Sequence, residues 1–484
     1  MSSVNGLPGD HDDRQILTTH QKALKINLDL SRYGTFAEIG AGQEVVRWFF
    51  KVGAAAGTIA KSVSAYDMAI SDAIYGPGKR YVSRERLQAM LDCEHAINLE
   101  KLGPVRGDTS AFFTFADTVS ARNFRGTNEC HGWMGVKYQA QPHVPDSQII
   151  IHVRMLDRQN DLQQDALGIV GVNLLYAAFY FREKPHKMLE SLLDNLSTER
   201  VEIDMIEFSG NDFVHVDNRA VSLKLVQLGL TGAAMFGPTG EVLQPSEVLR
   251  KRPVLVERGS FRPVTKVNID MVNCAHDQFA VDLAVSPNHV VELMEINMRQ
   301  LMVEGKVDLP DFLARAGVLA AAGKTVLISN YFEYYRLAGY LARYTSEPIA
   351  VTMGTMSLLD LFREEYYAGL EGGILEAFGK LFTKNMRIYV YPYKDQATGV
   401  LQTVDNAAIH PDQRNIFEHL VERGRIKQLI NFDDSLLHIF SRNVLERIKN
   451  GDSTWEAMVP EQIAAVIKSH RFFGYKEADL PITV

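Results

Sequence analysis

Apolar and polar residues alternate over several short stretches. SQIIIHVRML (147–156) sets Ile149, Ile151, Val153 and Met155 against Ile150, His152 and Arg154, the period of two expected of a strand. RVEIDMIEF (200–208) alternates in the same way, and AAMFGPTGEVLQ (233–244) places Pro-Thr-Gly between two apolar runs, the mark of a hairpin. PVLVE (253–257), TKVNIDMV (265–272), TVLIS (325–329), IAVTM (349–353), RIYVYPY (387–393) and QLINF (428–432) read as further strands. Helices are predicted after the Ser83 cap as far as Gly103, from Ser286-Pro287 to Gly305, and from Pro310 to Gly323. More follow over 331–344, across 357–383, up to Gly424, and twice at the C-terminus. Strands joined by helices of this length favour a parallel sheet covered on both faces.

The expected fold class is therefore α/β: a helical N-terminal region, then a mainly parallel sheet covered by helices, resolving into two α/β lobes. The expected divisions are a loose tail (1–14), a helical region (15–125), an α/β lobe (126–280), and an α/β lobe with C-terminal helices (281–484). No Pro- or Ser-rich linker marks the boundaries near 125 and 280. Between Phe36 and Asp72 the chain is rich in Gly and Ala beside Trp48, Phe49 and Phe50. Small residues let helices approach closely, so this segment is expected to pack helices and to support a homo-oligomer.

Composition narrows the function classes. The chain has 484 residues, 46% of them hydrophobic and 23% charged, which excludes a mainly disordered, collagen-like or coiled-coil protein. Its net charge of −8 does not suit nucleic acid or an acidic membrane surface as partner. Three cysteines, Cys93, Cys130 and Cys274, with no CxxC pair, argue against a disulfide framework or a thiolate zinc site. The polar start, Met1 to Arg14, lacks the form of a signal peptide. The longest uncharged run, Ala166 to Phe181, falls short of the about 20 apolar residues that span a bilayer. A cytoplasmic protein with no membrane partner is expected.

Candidate chemistry clusters in a few places. RKRPVLVERGSFRPVTK (250–266) is the densest basic stretch of an acidic chain. Arg258 and Arg262 flank a Gly259-Ser260 turn, and Lys266 follows. Arginine forks and turn N–H groups suit an anionic, phosphate-bearing ligand, most simply a nucleotide. In the expected strand 265–272, Asp270 lies near the C-terminal end, where ligands of open α/β sheets gather. Ser329 and Asn330 end another strand in the same way. Asn128-Glu129-Cys130-His131 offers a thiol beside an imidazole, but neighbours in an extended segment point apart. That leaves Glu129 and His131 as polar-pocket and catalytic candidates beside Asp270. Asp204, Glu207, His215 and Asp217 could hold a divalent metal, the one cofactor the sequence suggests. Gly323-Lys324-Thr325 ends like a phosphate loop but leads from a helix into a strand, the reverse of the required order.

Asp270, then Ser329-Asn330, then Asp433-Asp434, each at an expected strand end, resembles the order in haloacid-dehalogenase-like phosphohydrolases, although Val272 stands where that family has a second acid. Four longer segments carry a second resemblance: YGTFAEIGAGQEVVRWFFKVGAAAGTIAKSVSAYD (33–67), RNFRGTNECHGWMG (122–135), DALGIVGVNLLY (165–176) and LVERGSFRPVT (255–265). Over nearly its whole length the chain resembles a bacterial family carried under the names nicotinate-nucleotide adenylyltransferase and TonB-dependent receptor. The receptor name would require many ten-residue amphipathic strands, which the chain lacks. The transferase name implies a nucleotide substrate; Gly34-Thr35-Phe36 begins like that chemistry's first motif, but AEIGAGQE supplies no histidine. The reaction stays open between a nucleotide-using transferase, a phosphohydrolase and a non-catalytic scaffold.

Overall fold

The computed structural model describes residues 15–383, 386–395 and 397–476. The expected tail, 1–14, lies outside the described residues. The chain divides into two compact units between Thr231 and Gly232. Each has its own helix-covered sheet, so the class is α/β.

The N-terminal unit runs α1 (Thr19–Asn27), β1 (Arg32–Gly40), α2 (Val45–Val52), β2 (Ile59–Val63), α3 (Met68–Tyr75), α4 (Arg84–Arg106), β3 (Ala111–Ser120), β4 (Cys130–Tyr138), β5 (Ser147–Met155), α5 (Asn160–Tyr180), α6 (Pro185–Ser191), β6 (Val201–Gly210) and α7 (Asn218–Gln227). Its sheet order is β2-β1-β3-β4-β5-β6. The first three strands are parallel and the rest antiparallel. One face buries Phe36, Phe113, Val136, Ile151 and Ile203 against α1, α2 and α5. A Cβ on Gly171 of α5 would stand 2.3 Å from a Val45 methyl, so this glycine is what lets α2 and α5 touch. The opposite face is more polar and receives α4, whose Leu87 and Leu91 pack over Gly135.

The stretch 15–125 thus carries its expected helices with three strands among them. β1 and β3 are buried on both faces, so no alternation betrays them. The Gly/Ala-rich segment contributes part of β1, α2 and β2 rather than a run of helices. The expected boundary near 125 falls in the connection between adjacent strands β3 and β4 of one sheet.

The C-terminal unit runs β7 (Ala233–Phe236), β8 (Val242–Leu243), α8 (Pro245–Val248), β9 (Val254–Arg258), α9 (Lys266–Leu283), β10 (Val291–Asn297), the hairpin β11 (Met302–Val303) and β12 (Lys306–Val307), α10 (Leu309–Ala321), β13 (Val326–Ser329), α11 (Tyr334–Leu341), β14 (Ile349–Gly354), α12 (Thr355–Leu361), α13 (Gly373–Leu381), β15 (Arg387–Tyr391), the hairpin β16 (Tyr393–Lys394) and β17 (Leu401–Gln402), α14 (Pro411–Glu422), β18 (Ile426–Gln428), α15 (Ser441–Asn450) and α16 (Glu461–His470). The order is β18-β15-β14-β9-β10-β13-β7-β8. All neighbours from β18 to β13 are parallel, and β7 and β8 close the edge antiparallel. Counted from β9, the six parallel strands stand in the doubly wound order 3-2-1-4-5-6.

Two expected elements are exchanged. Residues 265–272 open a helix rather than a strand. Thr265 accepts the Asn268 N–H while the Asn268 side chain returns to the Thr265 N–H, a capping box. Met271, Val272, Ala275 and Phe279 then fall on one buried helical stripe. The expected boundary near 280 lies inside this helix. Conversely, 286–305 is not a helix: Val291–Asn297 is β10, enclosed between β9 and β13, and its Leu, Met and Glu residues answer to burial on both faces rather than to helix propensity. The strand expected at 428–432 is displaced to Ile426–Gln428. No helix among the described residues is long and apolar enough to cross a membrane, and the Ala166–Phe181 run lies largely in the buried α5.

Candidate functional site

In the C-terminal unit β9, β10, β13 and β14 end at one sheet edge. From β9 the chain leaves through α9 towards β10; from β14 it leaves through α12 and α13 towards β15, on the other side. The connections diverge between β9 and β14, which is where open α/β sheets form a ligand crevice.

Arg258 ends β9, in register with Glu295 of β10. Its Nε and Nη2 donate to the Glu295 carboxylate, the latter at 3.1 Å, and further donations go to the carbonyls of Phe332 and Tyr331. The Tyr334 ring centroid lies 4.4 Å from the guanidinium carbon. The side chains of Arg258 and Glu295 are 9% and 0% exposed. Burial opposes the Arg258 charge, yet the Glu295 carboxylate outweighs it and holds the guanidinium above its usual range. Ser329 donates its hydroxyl to Glu295 and accepts the Tyr331 N–H at 3.2 Å. Arg258 and Ser329 are thus internal supports of the crevice, a correction to their expected role as ligand contacts. The carboxylate that engages them, Glu295, was hidden in an expected helix; its signal is an acid between Met294 and Ile296 in an otherwise apolar run.

The loop after β9 is pinned from two sides. Gly259 N–H donates to the Glu295 carbonyl at 3.2 Å. Buried Arg315 of α10 donates to the carbonyl of Ser260 at 3.1 Å and pairs with Asp311. Arg262 meets the other Asp311 oxygen at 2.6 Å while its side chain stays 34% exposed. Ser260 and Asn330 are exposed, and Lys266 is half-buried in the first turn of α9. These four residues, with Gly259, form the polar rim of the edge. On the opposite face of β9, Glu257 is buried and accepts from Asn268 at 2.7 Å; burial pushes its carboxyl up to about 8 against the opposing pull of Asn268 and Lys324.

Other candidates lie elsewhere. Asp270 sits within α9, where it accepts from the Tyr391 hydroxyl at 2.6 Å and from the Asp433 N–H at 3.0 Å. It is a helix-to-loop tie and not a strand-end nucleophile, so the phosphohydrolase-like order does not form; Asp433 and Asp434 are exposed in a short turn. Glu129 and His131 belong to the N-terminal unit. Glu129 pairs with Arg154 at 2.8 Å, and His131 Nδ1 lies 3.1 Å from His152 Nε2. Cys130 points into the core on the opposite side, where burial pushes its thiol up to about 11. The proposed metal ligands are dispersed: Asp204 meets His152, Glu207 meets Arg84, Asp217 caps α7, and His215 is exposed. Among the described residues, no three His, Cys, Asp or Glu side chains gather as a metal site requires.

No protein-family model matches the sequence, and no curated protein matches it. Solved structures with partial similarity are competence/damage-inducible proteins. CihA from Agrobacterium tumefaciens is 17% identical over 39% of this chain and 99% of that chain, with a TM-score of 0.23. ComA from Klebsiella pneumoniae is 15% identical over 34% and 94%, with a TM-score of 0.24. A CinA-superfamily protein from Escherichia coli is 13% identical over 40% and 100%, with a TM-score of 0.23. Similarity at this level carries no argument about function.

Proposed function

We infer that the C-terminal unit binds an anionic, phosphate-bearing small molecule at the divergence of β9 and β14. The observation that carries this reading is the doubly wound strand order, which sets the Gly259–Arg262 loop at the crevice. The loop ERGSFRPV has one glycine and no GxGxxG spacing, so a pyrophosphate cradle for a dinucleotide is missing and a mononucleotide suits it better. Arg262, Lys266, Ser260 and Asn330 meet the phosphate, while Arg258 and Glu295 hold the floor. The sequence resemblance to the family carried as nicotinate-nucleotide adenylyltransferase supports a transferase reading of that binding.

The test is Arg262→Ala with AMP, ADP and ATP as probes in thermal shift and calorimetry. Arg315 still pairs with Asp311 in this variant, so the ligand-free melting temperature should hold to within a degree or two. A charge-assisted hydrogen bond contributes roughly 1.5–3 kcal/mol, so affinity should fall about tenfold or more and the ligand-induced rise should shrink accordingly. Arg262→Lys should recover only part of it. If none of the three nucleotides shifts the wild type, or the variant responds fully, the reading fails.

A homo-oligomer is the second reading, whether or not the chain is catalytic. Phe49 is fully buried, but Phe50 is 56% exposed and Met68 and Ile70 of α3 are 58% and 54% exposed. Apolar surface of this kind marks contact sites. Light scattering should give a mass above the 54.3 kDa of one chain; a clean monomer at micromolar concentration contradicts it.

A further inference from the structure

A cavity of the N-terminal unit is built on a segment that the crevice leaves unused, RNFRGTNE (122–129) between β3 and β4. Polar side chains of the loop close it: Asn128 Oδ1 accepts the Asn123 N–H at 2.6 Å, and Asn123 Oδ1 accepts the Thr127 N–H at 3.0 Å. Gly126, at φ +65°, brings the backbone against Arg122, so that a Cβ there would stand 2.9 Å from Nη2. Arg122 Nη1 donates to the Arg158 carbonyl at 3.2 Å. Among the described residues no carboxylate pairs with this guanidinium, and its Nε and Nη2 donate to nothing. A held cation thus lines the cavity with most of its fork unused.

The cavity measures about 280 Å³, near the lower bound of roughly 300–1,000 Å³ for small-molecule pockets. Asp157 lines it, one residue before the carbonyl that holds Arg122. Asp157 Oδ2 accepts from Arg200 at 2.8 Å, whereas Oδ1 accepts nothing among the described residues. Gln163, near the start of α5, also lines the cavity and is 3% exposed. Its Nε2 donates to the Asp157 carbonyl at 2.6 Å, and its Oε1 has no donor among the described residues. An unused cationic fork therefore stands beside two unused acceptors, all three side chains gathered on the segment 157–158. No side chain caps α5 at Gln159, and the helix N-terminus adds to the attraction for an anion. The other walls include Met155, Leu156 and the Arg154–Glu129 pair, in which both Glu129 oxygens are already engaged.

We propose that this cavity is a binding site for a free α-amino acid with a neutral side chain. The carboxylate lies on the open fork of Arg122. The ammonium lies on Asp157 Oδ1, with Gln163 Oε1 as its second acceptor, and the side chain runs along Met155 and Leu156. Two arginines and two carboxylates line the cavity, so its charges balance and a zwitterion suits it better than a simple ion. An α-amino acid carries its two charges on one carbon, as the adjacency of Arg122 and Asp157 across the 157–158 segment requires.

The experiment is calorimetry on the full chain with three probes of one skeleton: L-leucine, 4-methylpentanoate, which lacks the ammonium, and 3-methylbutylamine, which lacks the carboxylate. Leucine should bind about tenfold or more tightly than either half. Arg122 has no ion pair to lose, so Arg122→Gln should keep its ligand-free melting temperature to within about a degree while its affinity for leucine falls about tenfold or more. Asp157→Asn should weaken leucine by a similar factor and leave 4-methylpentanoate unchanged. A merely structural role for Asp157 would weaken both, and would overturn the assignment of the ammonium. Arg262→Ala should bind leucine as the wild type does, which separates this cavity from the crevice. No heat from leucine at millimolar concentration, 4-methylpentanoate binding as tightly as leucine, or full leucine binding in Arg122→Gln would overturn the proposal.

Discussion

Arg258→Ala is expected to destabilise the C-terminal unit by about 3–5 kcal/mol, because it leaves the Glu295 carboxylate buried and uncompensated. Four donations are lost together: two to Glu295 and one each to the carbonyls of Phe332 and Tyr331. Among the described residues, Glu295 keeps only the Ser329 hydroxyl as a side-chain donor. The loss should lower the transition of this unit by on the order of 10 °C. Hydrogen exchange should speed up first in β9, β10 and β13, the strands that the pair joins to the segment 331–332. Arg258→Ala with Glu295→Gln should recover part of the loss, since the charge left behind is removed. A loss below about 1 kcal/mol for Arg258→Ala would mean that water reaches Glu295 and the pair is not internal. The contrast with Arg262 separates the two arginines: one should act on stability without ligand, the other on ligand binding without a change in stability.

A second large effect is a gain. Glu38 of β1 and Asp117 of β3 stand in register, side by side beneath α2. They are 2% and 0% exposed. Burial raises the Glu38 carboxyl to about 7 even though it accepts the N–H groups of Val45 and Val46. Burial and then Glu38 raise Asp117 well above the usual carboxylate range, with only the Ile39 N–H opposing, and neither Asp117 oxygen makes a hydrogen bond of good geometry. A carboxyl whose pKa is higher folded than unfolded gives its full stability below the unfolded value and loses it as pH rises through the folded value. For Glu38 the loss runs from about pH 4.5 to above pH 7. It is worth roughly 3 kcal/mol at 1.36 kcal/mol per unit. Glu38→Gln removes that term and supplies an amide N–H towards Asp117, at the cost of one weak backbone contact worth about 1 kcal/mol. The variant should therefore be more stable than wild type by about 2 kcal/mol at pH 8 and no more stable at pH 4. Denaturant melts at the two pH values check this; a variant weaker at both would mean that the Glu38 charge is needed at the start of α2.

Much of the fold is legible in the sequence because the relevant signals are local. The alternation of 147–156 and 200–208 and the Pro-Thr-Gly hairpin each reside within about a dozen residues, and the helix after Ser83 is one unbroken run behind its cap. Where burial replaces alternation, the pattern is silent. AFFTFADTVS in β3 has apolar and small residues on both enclosed faces, with the acid Asp117 on one of them, and VELMEIN in β10 has the composition of a helix. Losing β10 conceals the doubly wound order, since β9 and β13 are then not joined. The candidate sites divide in the same way. The basic excess around 250–266 is visible, but the acids that engage it are not. Glu295 lies 37 residues beyond Arg258, and Asp311 belongs to another helix. His131 draws notice beside Cys130, yet its partners come from strands 21 residues away and, through His152, 52 residues further. Pairings across a sheet are set by register, which spacing along the chain does not encode.

The central claim, that a phosphate-bearing small molecule occupies the edge between β9 and β14, is tested most directly by hydrogen–deuterium exchange on the full chain with and without AMP, ADP or ATP. Protection is expected in 259–266 and 330–333, the segments that carry Ser260, Arg262, Lys266 and Asn330, and it should disappear in Arg262→Ala. Protection confined to the N-terminal unit, or none with any of the three nucleotides, would contradict it.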